Sequence, residues 1–118
     1  MAKIALKALG GQRLNVERSG SGPPVLAIHG FTGNLLTWDS FSKAVQAEYS
    51  VVRLDVLGHG LSDSPESLEL YSMENTVRAM EGLLDELSIQ RVHWLGYSMG
   101  GRIALAAAVL LGDRSLSL

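Results

Sequence analysis

Cysteine is absent from the chain, which excludes disulfides, thiolate chemistry and a cysteine-based zinc site. An excess of positive charge is also missing: Lys and Arg number 10 against 12 Asp and Glu, the net charge is −2 and the pI about 5.9. With no basic stripe in the sequence, nothing points to a nucleic-acid partner. The longest apolar run, inside Ile103 to Leu111, is too short to span a bilayer. The opening MAKIALKALGG lacks the apolar h-region and small-residue cleavage site of a signal peptide, so a cytoplasmic location is expected, with no membrane partner. No domain linker or internal repeat interrupts the chain. What remains is ordinary globular composition, 47% hydrophobic and 19% charged over 118 residues. A chain of that length buries about two-thirds of its unfolded surface.

The sequence is organised around Arg91 to Leu111. Val92 to Leu95 is a short apolar run suited to a buried parallel strand, and Ile103 to Leu111 is an Ala- and Leu-rich helix former. Between them Gly96-Tyr97-Ser98-Met99-Gly100 matches G-x-S-x-G in the strand-turn-helix context that motif requires. Gly96 and Gly100 supply positions without side chains where the chain reverses, and Gly101 is expected to give the helix room to pack. The helix start offers free N–H groups and a positive dipole end for a developing oxyanion. Ser98 is thus a candidate nucleophile or base. The same residues also fit a serine N-cap on a Gly-rich turn.

Two further strands, Val25 to Ile28 and Val51 to Leu54, each run into a Gly-rich loop, HGFTG at 29–33 and GHGLSD at 58–63. The order HGFTG, DVLGHGLSD, GYSMGGR resembles the N-terminal half of the α/β-hydrolase fold, from about Leu14 onward. Within that superfamily the motifs are similar to those of the MenH enzymes of menaquinone biosynthesis, and related esterases and carbon–carbon hydrolases share most of them. The resemblance implies an α/β fold, a mostly parallel sheet with helices on both faces, truncated after the elbow helix. The chain would be the N-terminal part, 1–118, of a single domain.

By the same resemblance Ser98 is catalytic, and the backbone N–H groups of Phe31 and Met99 form the oxyanion hole. Arg102 and Tyr97 bind substrate, with the Arg102 guanidinium suited to a carboxylate. Arg102 lies four residues after Ser98, so about one helical turn on and facing roughly the same way. Its place at the start of a central helix makes exposure hard to arrange. The implied reaction is that of a carbon–oxygen lyase removing a proton beside a carbonyl and expelling pyruvate from 2-succinyl-5-enolpyruvyl-6-hydroxy-3-cyclohexene-1-carboxylate. The alternatives are a serine esterase or carbon–carbon hydrolase, and a catalytically dead fragment that binds a carboxylate or a partner chain. No cofactor and no metal is implied.

The family's histidine and acid have no counterpart here. The chain has 3 histidines, and none follows Ser98; Asp113 is the sole carboxylate after it. His29 reads as support for the oxyanion loop, His59 and Asp63 as loop-bracing partners, Asp55 as a brace for the turn it precedes, and His93 as a strand residue. The chain alone is therefore expected to be inactive. An open strand edge beside Val92 to Leu95 or Ser115 to Leu118, and an elbow helix apolar nearly all round, suggest self-association or a complementary C-terminal fragment.

The rest is expected to be modest: strands over Lys3 to Ala8 and Leu14 to Arg18 joined by a Gly10-Gly11 hairpin, and a turn over Ser19 to Pro24. A helix with a Leu35, Trp38, Phe41, Val45 stripe follows, then a second with Val77, Met80, Leu83, Leu84 and Leu87 inward. Ser72 or Asn75 caps the second.

Overall fold

The structure is a computed structural model that describes residues 2–118. Its strands are β1 (Ala2–Ala5), β2 (Arg13–Gly20), β3 (Pro24–Ile28), β4 (Ser50–Leu54), β5 (Val92–Gly96) and β6 (Ser115–Ser117), and its helices are α1 (Asp39–Val45), α2 (Met73–Glu86) and α3 (Met99–Leu110). The strands form one sheet in the order β1-β2-β4-β3-β5-β6. β1 with β2 and β2 with β4 are antiparallel; β4, β3, β5 and β6 run parallel.

Continuous apolar runs, rather than alternation, mark strands buried on both faces. Accordingly β4 is buried at every residue and β3 from Val25 onward. Leu26, Ile28, Val52 and Leu54 join the main core with Val77, Met80, Leu83 and Leu84 of α2 and Ile103, Ala104 and Ala107 of α3. The other face turns Arg53 toward the segment before β4. There its guanidinium bonds the Leu35 carbonyl and Asp39 at 3.3 Å each, and Glu17 as well. Helices thus cover both faces.

From β3 the chain crosses to β4 on one side and then returns to place β5 on the other. That is a topological switch point, and ligands of open α/β sheets sit in the crevice outside the strand ends there. The loop after β3 and the turn after β5 both open into it.

Several local expectations change. β1 stops at Ala5, and the chain winds into a 3-10 turn at Lys7–Leu9 that buries Leu6 and Leu9 beneath α2. Burying two leucines outweighs extending an alternating strand, so no two-residue hairpin forms, although Gly10 and Gly11 both take positive φ. β2 runs longer than Leu14 to Arg18. The helical stripe after HGFTG splits into a 3-10 turn, Leu35–Trp38, and α1; Leu35 alone of the four is fully buried. Ser72 is the cap of α2, its hydroxyl accepting from Asn75 N at 3.1 Å.

α3 begins at Met99, four residues before the expected start at Ile103. It is not covered all round: Leu105, Val109 and Leu110 are 55%, 71% and 64% exposed. The edge of β5 is partly taken by β6, which pairs with it at Val92 and His93. No helix among the described residues is long and apolar enough to cross a membrane.

Candidate active site

Ser98 stands between β5 and α3 with φ 54° and ψ −116°, a strained backbone for a residue with a side chain. The strain is held by close approach on either side. A methyl group at Gly96 would lie 2.1 Å from the Gly100 carbonyl oxygen, and one at Gly100 would lie 2.0 Å from the Ile28 carbonyl oxygen. Both glycines are therefore obligatory. Gly101 is not: a methyl there would meet Gly96 O at 3.5 Å, an ordinary contact, so the expected packing need is absent.

Ser98 occupies the N-cap position of α3, yet its hydroxyl makes no capping bond. This removes the simple capping explanation of the serine. The side chain is exposed, and none of the described histidines or carboxylates is bonded to it. His93 Nδ1 meets Ser117 Oγ at 2.6 Å, and His59 Nδ1 meets the Leu57 carbonyl at 3.2 Å.

The HGFTG loop lies directly against the elbow. Gly30 is packed so tightly that an added methyl would sit 3.3 Å from Ser98 Cβ and 3.1 Å from the Tyr97 ring. At the root of the loop Tyr97 N donates to Ile28 O at 3.1 Å. Within the loop Gly33 N closes onto Gly30 O at 3.0 Å, and Thr32 takes a left-handed φ of 66°. The N–H groups of Phe31 and Met99 have no partner among the described residues. Two unpaired backbone donors thus flank a strained, unpaired hydroxyl.

His29 holds this loop in place from below. It is fully buried; its Nε2 accepts from Val56 N at 3.0 Å, which leaves the proton on Nδ1 to be donated to the Gly30 carbonyl at 2.7 Å. Burial depresses its pKa below the ordinary imidazole value, the Gly30 bond opposes that, nearby His59 adds to it and Asp55 opposes it. With both nitrogens engaged, it has no lone pair to offer Ser98.

Asp55 is the second anchor. Its carboxylate accepts from Leu35 N at 2.7 Å, Leu61 N at 2.9 Å and Asn15 Nδ2 at 3.0 Å, tying β2, the segment after the HGFTG loop and the GHGLSD turn together. Asp63 clamps the far end of that turn to β2. The Arg13 backbone N–H, at 2.8 Å, and then the Arg13 guanidinium hold its carboxyl below the usual range.

Arg102 departs from expectation. It is exposed and makes no side-chain bond among the described residues. Its backbone N–H bonds the Ser98 carbonyl at 3.1 Å, which sets it one helical turn on from the elbow serine. Tyr97 is 65% exposed. Beside the elbow the structure shows a feature the sequence reading passed over. Tyr71 and Met73, at the entry to α2, close a cleft of about 240 Å³ against Phe31 and Met99. Nothing local in the sequence announces a contact between segments so far apart along the chain.

A family model described as alpha/beta hydrolase fold matches residues 23–116. The Bacillus subtilis protein named "Putative 2-succinyl-6-hydroxy-2,4-cyclohexadiene-1-carboxylate synthase" is 34% identical over 76% of this chain and 32% of its own length. An epoxide hydrolase of Caballeronia sordidicola is 35% identical over 91% of this chain and 33% of its own. Among solved structures, the meta-cleavage product hydrolase from Pseudomonas fluorescens IP01 superposes with TM-score 0.86 at 31% identity, covering 98% of this chain and 42% of that one. The chain spans about a third of the length of the curated relatives it matches.

Proposed function

Since the chain belongs to the alpha/beta hydrolase fold family, we propose that Ser98 is the reacting hydroxyl of an enzyme acting beside a carbonyl, with the Phe31 and Met99 N–H groups as its oxyanion donors. The observation that carries this reading is the pair of unbonded N–H groups beside a strained serine that caps nothing. Backbone donors in fixed positions stabilise an oxyanion at no cost of reorganisation when charge develops. A serine hydroxyl needs a base. In this reading the base comes from protein beyond these 118 residues, in keeping with the greater length of the relatives.

The favoured chemistry is that of a MenH-like lyase. The activated Ser98 oxygen takes the proton next to a carbonyl, the oxyanion donors hold the enolate, and its collapse breaks the carbon–oxygen bond to the enolpyruvyl group, which leaves as the enolate of pyruvate and takes up a proton to give pyruvate. Arg102 supports this choice, because an exposed guanidinium without an internal partner, four residues from Ser98, is free to meet a substrate carboxylate. The second reading is an esterase or carbon–carbon hydrolase with an acyl-enzyme on Ser98, supported by the similarity to the meta-cleavage product hydrolase.

The test uses the native full-length gene product. Ser98→Ala is expected to abolish turnover with the fold intact, and near-normal turnover would sink the assignment. Arg102→Ala should lower kcat/KM for dicarboxylate substrates on the order of tenfold more than for neutral esters; equal losses would remove the carboxylate role. Burst kinetics with covalent labelling of Ser98 would select the hydrolase.

A further inference from the structure

The HGFTG loop is pinned at its ends and loose at its tip. Gly30 sits against Ser98 and Tyr97, and a methyl at Gly33 would lie 3.0 Å from the Gly30 carbonyl oxygen and 3.3 Å from both His29 Nδ1 and Thr37 Oγ1. The Gly30 carbonyl accepts from His29 Nδ1 at 2.7 Å and from Gly33 N at 3.0 Å. That carbonyl and the Phe31 N–H belong to one planar, trans peptide group and point opposite ways, so fixing the oxygen also fixes the donor. The next peptide group is held by nothing. Neither the Phe31 carbonyl nor the Thr32 N–H has a partner among the described residues, and both side chains are exposed.

Yet that loose peptide stands in its costlier conformation. With Gly33 N on Gly30 O, no positive φ at Phe31 and φ 66° at Thr32, the loop is a type II turn, which favours glycine where Thr32 stands. A β-branched residue is an outlier in the left-handed region, where its Cβ crowds a carbonyl oxygen. A type I turn would keep the closing bond and remove the strain. Passing from one to the other changes Phe31 ψ by about 150° and Thr32 φ by about 170°, so a single peptide turns over. In type II the two central N–H groups point to opposite sides, and the Phe31 carbonyl lies on the side of the Phe31 N–H. In type I both N–H groups point the same way, and the carbonyl points away.

We infer that the Phe31–Thr32 peptide turns over when negative charge develops beside Ser98, and that the Thr32 N–H then joins Phe31 and Met99 as a third donor to the oxyanion. Without that charge, three convergent N–H dipoles repel one another, and the Phe31 carbonyl offsets them at the cost of strain at Thr32. Successive backbone N–H groups turned to one side suit an anion. Once the anion is there, the third donor and the relief of Thr32 both favour the flipped form. The flip rests on the assignment of Ser98 and its two oxyanion donors, and it adds one backbone group to them.

Boronic acids test it, because they bond to a reactive serine oxygen and leave a tetrahedral anion in the oxyanion site. In the native full-length protein, carrying isotope-labelled threonine for NMR, the Thr32 amide is assigned by its loss in Thr32→Val. Binding of phenylboronic acid is expected to move that amide proton downfield and to slow its exchange with solvent on the order of tenfold. Thr32→Gly removes the penalty of the left-handed form and with it the strain relief, so boronate inhibition should weaken on the order of fivefold or more. Thr32→Val keeps the β-branch and should weaken it less. A Thr32 amide that neither shifts nor slows with the boronate on Ser98, a Thr32→Gly protein inhibited as well as the wild type, or equal losses in the two variants would overturn the flip while leaving the Ser98 assignment standing. Boronate inhibition that persists in Ser98→Ala, or none in the wild type, would overturn the Ser98 assignment and the flip with it.

Discussion

The loops after β3 and β4 look alike in sequence, both short, Gly-rich and carrying a histidine, yet they handle their polar groups in opposite ways. The β4 loop closes on itself: Gly58 N bonds Asp63 O, His59 N bonds Val56 O, Ser62 N bonds His59 O, and Asp55 collects three donors from around it. Ser62 completes the closure, its hydroxyl donating to Asp55 O at 2.6 Å and accepting from Asn15 N at 2.8 Å. The β3 loop makes one internal turn and leaves Phe31 N unbonded, as the β5 turn leaves Met99 N. One loop is a brace and the other a presented surface. Glycine in both answers to close approach, but against different neighbours. A methyl at Gly60 would strike the Asp55 carboxylate at 2.3 Å, whereas one at Gly30 would press on Ser98.

The largest expected effect breaks the brace. Asp55→Ala would strand Leu35 N and Asn15 Nδ2 in a buried setting and Leu61 N at a half-buried one, and each buried unsatisfied donor costs roughly 1 to 3 kcal/mol. The loss in total is expected to be about 3 kcal/mol or more, read as a fall in the urea midpoint. Asp55→Asn keeps an acceptor and should lose less. A midpoint unchanged in Asp55→Ala would show that the β4 loop holds its shape by other means.

How far this contrast was legible in sequence depends on the range of the interaction. The elbow was readable because strand, glycine spacing and helix are local, and Gly96 and Gly100 are as crowded as a sharp reversal demands. Asp55 as a brace was readable from its place at a strand end, though its partners on β2 and before α1 were not. The hidden part is where one segment meets another. Leu6 leaves the expected first strand and, with Leu9, packs beneath α2, and Tyr71 and Met73 close a cleft with Phe31 and Met99. The exposure of Arg102 was hidden in the same way, because what covers the first turn of α3 depends on other segments and not on the helix's own sequence.

A middle-sized effect lies in His29, which joins the two loops through Val56 N and Gly30 O. Burial depresses its pKa in the folded protein, so the unfolded chain takes up the proton first as pH falls. Stability contributed by the neutral ring is therefore complete above about 6.5, the ordinary imidazole value, and is lost as pH drops from there toward the folded pKa. The titratable groups facing the ring are His59, which favours its neutral form, and Asp55, which favours its charged one. One linked proton gives a slope of no more than about 1.4 kcal/mol per pH unit. Urea midpoints measured between pH 7 and 5 should show that slope shrinking in His29→Gln. Parallel pH profiles for the two proteins would mean that other groups carry the linkage.

The smallest effect separates two adjacent glycines. Gly100 is pressed against the Ile28 and His29 carbonyls, where no side chain fits, and Gly101 beside it has only the Gly96 carbonyl at a comfortable distance from an added methyl. Neither residue has a positive φ, so the backbone of Gly101 suits alanine without strain. Its place in the first turn of α3 makes alanine the better helix former, worth up to about 1 kcal/mol in a helix interior and less at an end. Gly101→Ala is thus expected to leave the urea midpoint unchanged or slightly raised, and to leave Ser98-dependent turnover within about twofold, since less than about 0.4 kcal/mol is at stake in the transition state. A loss of stability beyond about 1 kcal/mol would show that the elbow needs both glycines, and that the tight contact extends one residue further into the helix than the packing of Gly96 and Gly100 requires.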